Sequence, residues 1–470
     1  MLYEISKENI KGCGPEAIQT PKEIRFKKKN HLRHRQKTIA FQLYRTIQHF
    51  FPDLFEWIRE IEDCRKKSDY ELVELITASI AIFLFKSGSR NQFNNQRNEG
   101  NFQKNFQKLF KLRLPHSDTA DRVMRKLPSE ALEQLKRRLI QALLTKKALH
   151  SSRLFNEWFV IAVDATGVVS FKHQHCDQCL HKISKKGKKT WFHNVLEAKL
   201  ITPNGFALSL GTEWIENPLE EYNKQDCERT AFKRLAKQLK QDYPRLPICL
   251  VADGLYPYLA FFDVCQEYGW SYILTFQDGC LPSVWEEVHA LGARMQGNQR
   301  RQTTDQGKKQ IQRDYRWISE IDYKGHTVYW AECNETIFRE DGQSEQSHFV
   351  HLTNMSTTHR TVVDIVATGR LRWKIENEGF NTQKNHGYKL EHKYSRKSYL
   401  AMKNYYQCLQ IANIINQLFI LSTAFQQWLT SKMTIKHLWT RLLGVLTYKN
   451  LKENQIETID HETFQIRFVT

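Results

Sequence analysis

The sequence predicts an α/β fold preceded by an α-helical N-terminal domain. Apolar residues recur at helical spacing from about residue 40 to residue 150, where strand-like alternation is scarce. After residue 155, short apolar β-type runs alternate with helical segments and with turns that contain Gly and Asn. The 470 residues are enough for two or three domains of ordinary size.

Residues 1–150 are expected to form a basic arm and a helical DNA-binding domain. The arm, residues 22–37, contains eight Lys or Arg residues and one Glu, and such a density of like charge repels itself and does not form a core. Behind it, Phe41, Leu43 and Ile47 begin the helical pattern. A solvated tail is the alternative interpretation of the arm.

Residues 151–276 are expected to form the first part of the α/β core. The predicted strands are VIAVDAT (160–166), NVLEAKLIT (194–202), FALSLGTEWI (206–215), ICLVADG (248–254) and SYILTF (271–276). The turn Pro203-Asn204-Gly205 joins the second to the third. Three antiparallel-type strands followed by parallel-type strands and helices are the order of an RNase H-like sheet, and other folds share that order.

The rest of the chain interrupts this pattern and then completes it. Segments after SYILTF alternate like antiparallel strands around the turns Lys324-Gly325 and Asp341-Gly342, and helical periodicity returns at 362–385 and 405–429. The predicted segments are a β-rich insertion at 277–354, the second part of the core at 355–430, and a C-terminal segment at 431–470.

The charge balance favours a polyanionic partner. Lys and Arg outnumber Asp and Glu by 70 to 51, which gives a net charge of +19. The longest apolar run, at 75–85, has 11 residues, well short of the roughly 20 that span a bilayer, which argues against a membrane-spanning protein. The N-terminal residues lack a secretory pattern and the ten cysteines form no even framework, so we expect a cytoplasmic protein.

Two carboxylates follow predicted strands in this basic chain. Asp164 ends VIAVD and Asp253 ends ICLVAD, and open α/β sheets place their functional sites at the carboxyl ends of strands. Either residue alone could instead form part of a turn. Buried carboxylates need a counter-charge, and Mg²⁺ combines a few carboxylates with phosphate oxygens. The acids therefore suggest metals that activate a nucleic-acid backbone, while lysines hold that backbone.

Together with Glu376 in RWKIENEGFN, these aspartates resemble the D, D and E of IS4-type DDE transposases of bacterial insertion sequences. The resemblance covers residues 155–430. In this family the glutamate helix carries Tyr, two residues, Arg, three residues, Glu, six residues and Lys. Arg372 and Glu376 match that spacing, whereas Gly369 stands at the Tyr position and Gln383 stands at the Lys position.

The resemblance implies a transposase that cleaves the ends of its element and joins the 3′-hydroxyl ends to target DNA. Asp164, Asp253 and Glu376 would be the catalytic residues and would hold two Mg²⁺ or Mn²⁺ ions. The partner would be double-stranded DNA, both as element ends and as target, with a homodimer in the synaptic complex and association with the bacterial nucleoid. Two alternatives stay open: a nuclease of the same fold that never joins strands, and an inactive DNA-binding remnant or repressor.

Basic residues near the acids are expected to grip phosphates. They are Arg372, Lys384, Lys389, Lys393, Arg396 and Lys397 around the glutamate helix, and Lys185, Lys186, Lys188 and Lys189 in the loop after the first core strand. In the β-rich insertion, Trp317, Tyr329 and Trp330 offer aromatic rings that would stack on an extruded base.

The same loop contains a Cys-X-X-Cys motif with histidines around it. His175, Cys176, Cys179 and His193 supply enough nitrogen and sulfur donors for tetrahedral Zn²⁺, and His181 is a further candidate donor. A metal there would staple a long hairpin loop. Because the chain has only one such motif, reduced cysteines on the surface are the competing interpretation.

Helical phase distinguishes Glu376 from its neighbour Glu378. At about 100° per residue, Trp373 and Phe380 flank Glu376 and place it on the apolar face that packs on the sheet. Glu378 lies about 200° away, towards solvent, where it would at most pair with a lysine. We expect Glu376 to be the third acid of the site.

Overall fold

The computed structural model describes residues 39–219, 221, 224–430, 432–461 and 464–468. The basic arm expected at 22–37 lies outside these residues. Among the described helices, none is both long enough and apolar enough to cross a membrane.

The N-terminal region is helical, as its apolar periodicity predicts. Residues 39–50 are helical (α1), and they are followed by α2 (Leu54–Arg59), α3 (Leu72–Leu84), α4 (Arg90–Asn98), α5 (Phe102–Phe110), α6 (Ser117–Met124) and α7 (Ser129–Thr145). All 13 residues of α3 are buried, so this helix lies at the centre of the region. The Glu74 carboxylate accepts the backbone N–H of Glu71 at 2.9 Å and thereby caps the first turn of α3.

Ten strands form one mixed sheet in the described part of the chain. They are β1 (Phe159–Phe171), β2 (Leu180–Ile183), β3 (Lys189–Ile201), β4 (Ala207–Ile215), β5 (Ile248–Ala252), β6 (Ser271–Thr275), β7 (Gln299–Gln306), β8 (Lys309–Tyr323), β9 (His326–Arg339) and β10 (Ser344–Thr353). Their order across the sheet is β2-β3-β1-β5-β6-β10-β9-β8-β7, and β4 pairs with the second half of β3.

The other described helices pack over the sheet or against the N-terminal helices. They are α8 (Glu228–Asp242), α9 (Leu259–Tyr268), α10 (Pro282–Gly292), α11 (Val362–Arg370), a π-helix (Ile375–Asn381), α12 (Thr382–Asn385), α13 (Tyr399–Ile420), α14 (Thr423–Gln426), α15 (Ile435–Tyr448) and α16 (Glu453–His461). Side chains alternate along β1, so Ile161 and Val163 pack in the cluster that includes α8. Val160 and Ala162 point the other way and pack with Ile365 of α11 and with the π-helix.

The strand directions expected for the core are confirmed. β3 pairs antiparallel with β1 and with β4, whereas β5 runs parallel to both β1 and β6. Helix α8 lies in the connection to β5, and α9 lies between β5 and β6. Such helices are needed because parallel neighbours cannot be joined by a tight hairpin turn.

The β-rich stretch after β6 extends the same sheet. β10 pairs antiparallel with β6, and β9, β8 and β7 follow outward. The turns expected at Lys324-Gly325 and Asp341-Gly342 are confirmed, with a positive φ of 83° at Gly325 and 80° at Gly342. By pairing with β6, β10 covers an edge that the parallel part of the sheet would otherwise expose.

Helix α13 joins the N-terminal helices to the sheet. It packs against α3, α6 and α7 and also against β4. Its buried amides are hydrogen-bonded: Asn404 donates to the carbonyls of Met124 and Leu127, and Gln417 donates to the carbonyl of Ala207. The helical region and the sheet therefore share one packed core.

Candidate active site

Asp164 lies within β1 and not at its end, so the prediction that it terminates a strand is wrong. β1 continues to Phe171 because β3 pairs with it as far as Trp191. Its parallel neighbour β5 is shorter and ends at Ala252, and the two strands pair only over Phe159–Ala162. Asp164 therefore still emerges at the carboxyl edge of β5, just beyond the point where β1 loses its parallel neighbour.

The register of β1 and β5 places the two aspartates side by side. Phe159 pairs with Ile248, an offset of 89 residues (248 − 159 = 89). Asp164 and Asp253 are separated by the same interval (253 − 164 = 89), so the continued ladder aligns them. Neighbouring strands lie about 4.8 Å apart and aligned residues point to the same face. Asp253 follows β5 directly, and its carboxylate accepts the backbone N–H of Leu255 at 2.9 Å.

Glu376 approaches this face from a π-helix. The helical periodicity predicted at 362–385 is confirmed, but the helix is not uniform: α11 ends at Arg370, a turn follows at 371–372, and the π-helix begins at Ile375. Ile375 and Phe380 are five residues apart and both lie in the apolar cluster beneath β1. The wider turn of a π-helix, with its i→i+5 hydrogen bonds, suits that spacing, and such turns are frequent at functional sites.

Arg372 forms an ion pair with Asp164. Its Nη1 lies 3.4 Å from Oδ2 of Asp164, and the two side chains are 16% and 22% exposed, respectively. The guanidinium also lies over the ring of Trp373, 5.3 Å from its centroid. Trp373 itself is 58% exposed, so the expectation that it lies on the apolar face is wrong. The turn after α11 shifts the helical phase on which that expectation depended.

The three acids lie close enough for the charges of Asp253 and Glu376 to shift the pKa of Asp164. Burial raises the pKa of Asp164 to about 6, Arg372 opposes that rise, and the negative charges of Asp253 and Glu376 add to it. A neighbouring charge shifts a pKa most strongly when it lies within about 4–6 Å. The structure therefore brings the three predicted acids together in a site where one arginine offsets only part of the negative charge.

A fourth carboxylate, Glu228, belongs to the same cluster, and the sequence did not indicate it. Burial raises the pKa of Glu228 to about 7, and the nearby charges of Asp164 and Asp253 also raise it. The Tyr256 hydroxyl donates a hydrogen bond to its carboxylate at 2.8 Å and opposes the rise. In the sequence, a glutamate in the first turn of a helix has an ordinary explanation in the helix dipole, so nothing local distinguished it.

The predicted DNA-contacting residues lie on two exposed features. The first is the lysine hairpin (182–189), formed by the end of β2, a turn and the first residue of β3, and Lys185, Lys186, Lys188 and Lys189 are all exposed there. The second is the basic segment (386–398) between α12 and α13, with Lys389, Arg396 and Lys397 exposed and Lys393 half-buried. Lys384 lies in α12 instead, where it pairs with Glu391 at 3.6 Å.

The expectation that the insertion's tryptophans stack on a base is wrong. Trp317 and Trp330 are buried, at 5% and 4% exposure. Trp317 packs in a cluster with Val362 of α11, and the Trp330 ring lies edge-on to Trp285 of α10. Tyr329 is half-buried on β9. The two tryptophan rings are not accessible to a base because α10 and α11 pack over strands β8–β10.

The predicted zinc ligands are also brought together, beyond the end of β1. Cys176 and Cys179 come from the connection between β1 and β2, and both sulfurs face the ring of His193 on β3. Cys179 is buried, so the competing expectation of surface cysteines is wrong for it. His181 does not join them, because its ring lies against Trp191.

A comparison with known families agrees with the geometry of the acid cluster. The family model for the transposase DDE domain matches residues 160–403, just over half of the chain. The chain belongs to this family. The matched range includes Asp164, Asp253 and Glu376. Among curated proteins, none matches this DDE transposase in sequence.

Internal packing at two positions of the glutamate segment explains why this DDE transposase lacks the Tyr and the Lys of the motif. A Cβ atom at Gly369 would lie 2.5 Å from Cε1 of the buried His351, so no tyrosine fits there. Gln383 is fully buried and donates hydrogen bonds to the side chains of Gln410 and Asn413 in α13. Both positions are therefore committed to internal packing.

Proposed function

We propose that this DDE transposase is of the IS4 type, that it comes from a bacterial insertion sequence, and that it cleaves the element ends and joins the 3′-hydroxyl ends to target DNA. The observation that carries the proposal is the convergence of Asp164, Asp253 and Glu376, with Arg372 paired to the first of them. The order of β4, β3, β1, β5 and β6 supports an RNase H-like core, and β7–β10 support a β-rich insertion before the glutamate. A homodimer would bring two element ends together.

The acid cluster fits two Mg²⁺ or Mn²⁺ ions. Carboxylate oxygens are the ligands that these hard ions use. The raised pKa of Asp164, caused by burial and by the neighbouring acids, indicates negative charge that Arg372 does not fully compensate. Asp164, Asp253 and Glu376 would hold the ions. When bound, the ions would stabilise charge on the attacking and leaving oxygens of the phosphodiester.

The remaining residues would bind and orient DNA. Arg372 would hold Asp164 in place through its ion pair. The lysine hairpin and the basic segment present cations that would contact phosphates, and such contacts position DNA without specifying its sequence. Trp373, exposed beside Arg372, is an aromatic ring on which an unpaired base would stack.

A strand-joining assay tests the proposal. The purified protein is incubated in Mg²⁺ with linear DNA that carries the inverted repeats flanking its reading frame. We expect cleavage at the repeat ends and, when pre-cut ends are mixed with a target plasmid, joined products. Cleavage without joining would instead support the nuclease, and DNA binding without cleavage would support the inactive remnant.

Replacing either aspartate separates chemistry from binding. Asp164→Asn and Asp253→Asn are each expected to abolish cleavage and joining while DNA binding stays intact or tightens, because a negative charge near phosphate is removed. Gel-shift and cleavage assays on the same preparations measure both properties. Asp322→Asn, at an exposed position on β8, serves as the control and should cleave normally. Retention of more than a few percent of cleavage in either aspartate variant would refute the assignment.

A further inference from the structure

Four nitrogen and sulfur donors meet outside the acid cluster, between the end of β1 and the start of α13. His175, Cys176 and Cys179 come from the connection between β1 and β2, and His193 comes from β3. Within the described residues, His175, Cys176 and His193 are the one set of metal-binding side chains whose ligand atoms all lie within 4.8 Å of one another. Cys179 contacts Cys176 and His193, and it does not lie within that distance of all three members of the set, so binding of one ion would draw His175 and Cys179 closer together.

Three of these donors already stand at the spacing of a tetrahedral zinc site. Sγ of Cys176 lies 3.5 Å from Sγ of Cys179 and 3.4 Å from Nε2 of His193. Sγ of Cys179 lies 3.3 Å from the same nitrogen. Zinc bonds of about 2.3 Å to sulfur and about 2.0 Å to nitrogen would place two sulfurs about 3.8 Å apart, and a sulfur and a nitrogen about 3.5 Å apart. The donors therefore need to move by only a few tenths of an ångström.

His175 supplies the fourth donor atom, its ring nitrogen Nδ1. Its Nε2 lies 3.0 Å from the backbone carbonyl oxygen of Arg396, so Nε2 carries the proton and Nδ1 is left as the ligand atom. Nδ1 of His175 is buried and has no hydrogen-bond partner among the described residues. Metal-binding histidines commonly donate their second ring N–H to a carbonyl or carboxylate, which fixes the orientation of the ring.

The surroundings of the cluster favour a structural ion. Cys179 and His193 are fully buried, and the His193 ring stacks on Tyr399 at a centroid distance of 3.9 Å. The cysteines are free thiols. Closed sets of four nitrogen and sulfur ligands are typical of structural zinc, whereas Mg²⁺ prefers oxygen. From this geometry we infer that His175, Cys176, Cys179 and His193 bind one structural Zn²⁺ ion.

Zinc at this position ties the lysine hairpin to the basic segment. Cys176 and Cys179 lie at the base of the hairpin, and His193 lies on the strand that forms one of its arms. His175 contacts the basic segment through the carbonyl of Arg396. The His175 ring also stacks on the Phe171 ring at a centroid distance of 4.4 Å. Nζ of Lys393, in the basic segment, lies 4.6 Å from the centroid of the same Phe171 ring. The consequence for DNA binding rests on the proposed function, whereas zinc binding itself does not.

The metal content of the purified full-length protein tests the inference. After dialysis against Mg²⁺ without chelator, mass spectrometry is expected to find one zinc per chain. A mercurial thiol reagent is expected to release that zinc when Cys176 and Cys179 react, in addition to the exposed thiols of Cys64 and Cys227. Co²⁺ substituted for zinc should show thiolate-to-metal absorption in the near ultraviolet and the visible bands of a tetrahedral ion. A protein that binds no zinc, even when Zn²⁺ is supplied, would overturn the inference.

Matched variants identify the ligands. The double variant Cys176→Ser, Cys179→Ser should retain less than a tenth of an equivalent of zinc. Cys227→Ser, at an exposed cysteine outside the cluster, and His181→Gln, on the neighbouring strand β2, should each keep one equivalent. Equal loss of zinc in these controls would contradict the assignment.

A milder variant guards against failure of the double variant to fold. His175→Gln changes a partly exposed residue, and its zinc affinity, measured by competition with a chromophoric chelator, should fall at least tenfold. Unchanged affinity would remove His175 from the site. Because zinc stoichiometry is independent of strand joining, a zinc-loaded protein that fails to join DNA would refute the proposed function and leave the zinc site standing.

Discussion

Two glutamates in the π-helix differ in their surroundings. Glu376 follows the buried Ile375, and its charge acts on Asp164. Glu378 is 43% exposed and pairs with Lys374 at 3.6 Å, as expected for a residue turned towards solvent. The assignment of Glu376 as the third acid therefore has support from charge and packing, although the α-helical phase behind it was replaced by a π-helix.

Replacing each glutamate in turn tests that assignment. Glu376→Gln is expected to slow cleavage and joining by several powers of ten, as loss of a metal-holding carboxylate would. Glu378→Gln should change either rate by less than a few-fold, because it removes only a partly exposed ion pair. Cleavage rates of the two variants, measured side by side in Mg²⁺, decide between them. An inactive Glu378→Gln beside an active Glu376→Gln would reverse the assignment.

The contact between Gly369 and His351 predicts a large effect of a small change. Because a Cβ at position 369 would lie 2.5 Å from the buried His351 ring, Gly369→Ala is expected to lower the free energy of unfolding by about 1–3 kcal/mol. Urea denaturation measures this loss. Gly444→Ala is the control: no atom lies within 4 Å of its new Cβ, and alanine there should stabilise α15 by up to about 1 kcal/mol. The added substitution His351→Ala should recover part of the loss, and a Gly369→Ala protein as stable as the wild type would disprove the contact.

At the scale of elements, the lysine hairpin is a short two-stranded projection with little apolar packing of its own. β2 has four residues, and Ile183 at its end is 65% exposed. The turn that follows contains Gly187 at a φ of 76°, and the hydroxyl of Ser184 accepts the backbone N–H of Lys188 at 3.1 Å. The hairpin therefore contributes exposed positive charge and little apolar surface to the core.

Removing charge from the hairpin should weaken DNA binding without stopping chemistry. Lys185→Ala, Lys186→Ala is expected to lower affinity at low salt and to reduce the slope of log affinity against log salt by up to about 2, since each phosphate contact contributes about 0.9. Fluorescence anisotropy at several salt concentrations measures the slope. The control Lys233→Ala, Lys237→Ala removes two exposed charges from α8. Equal changes of slope in both double variants would show that the hairpin has no special role.

At the scale of the whole molecule, a basic chain contains a buried acidic cluster. The chain carries a net charge of +19, while buried carboxylates concentrate negative charge at one edge of the sheet. The helical region and the sheet share one core through α13, so the N-terminal helices are held in a fixed position relative to the acids. DNA bound along the basic surface would therefore meet the acid cluster in a defined orientation.

The affinity of the whole protein for DNA should depend steeply on salt. Several phosphate contacts release their counterions on binding, so we expect affinity to fall by at least tenfold between about 50 and 200 mM salt. The measurement is a binding titration with a duplex of random sequence and one that carries the element end. A flat dependence for both duplexes would mean that the basic surface serves another partner.

The sequence by itself predicted the helical N-terminal region, the core strands, their turns and the three acids that the structure brings together. These features depend on residues that are close together along the chain: apolar periodicity, Gly and Asn at turns, and a carboxylate behind an apolar run. The 89-residue interval between Asp164 and Asp253 was also visible, but its meaning required the observed register of β1 and β5.

Only the tertiary structure decided the features that depend on partners distant in sequence. β1 extends past Asp164 because β3 pairs with it, and the π-helix suits the burial of Ile375 and Phe380 beneath the sheet. Glu228 joins the acids because α8 begins at the edge where β5 ends, a position that no local pattern encodes. Cys179 faces His193 for the same kind of reason, since a Cys-X-X-Cys motif supplies donors but only the packing of β3 and α13 against the loop brings a histidine to them.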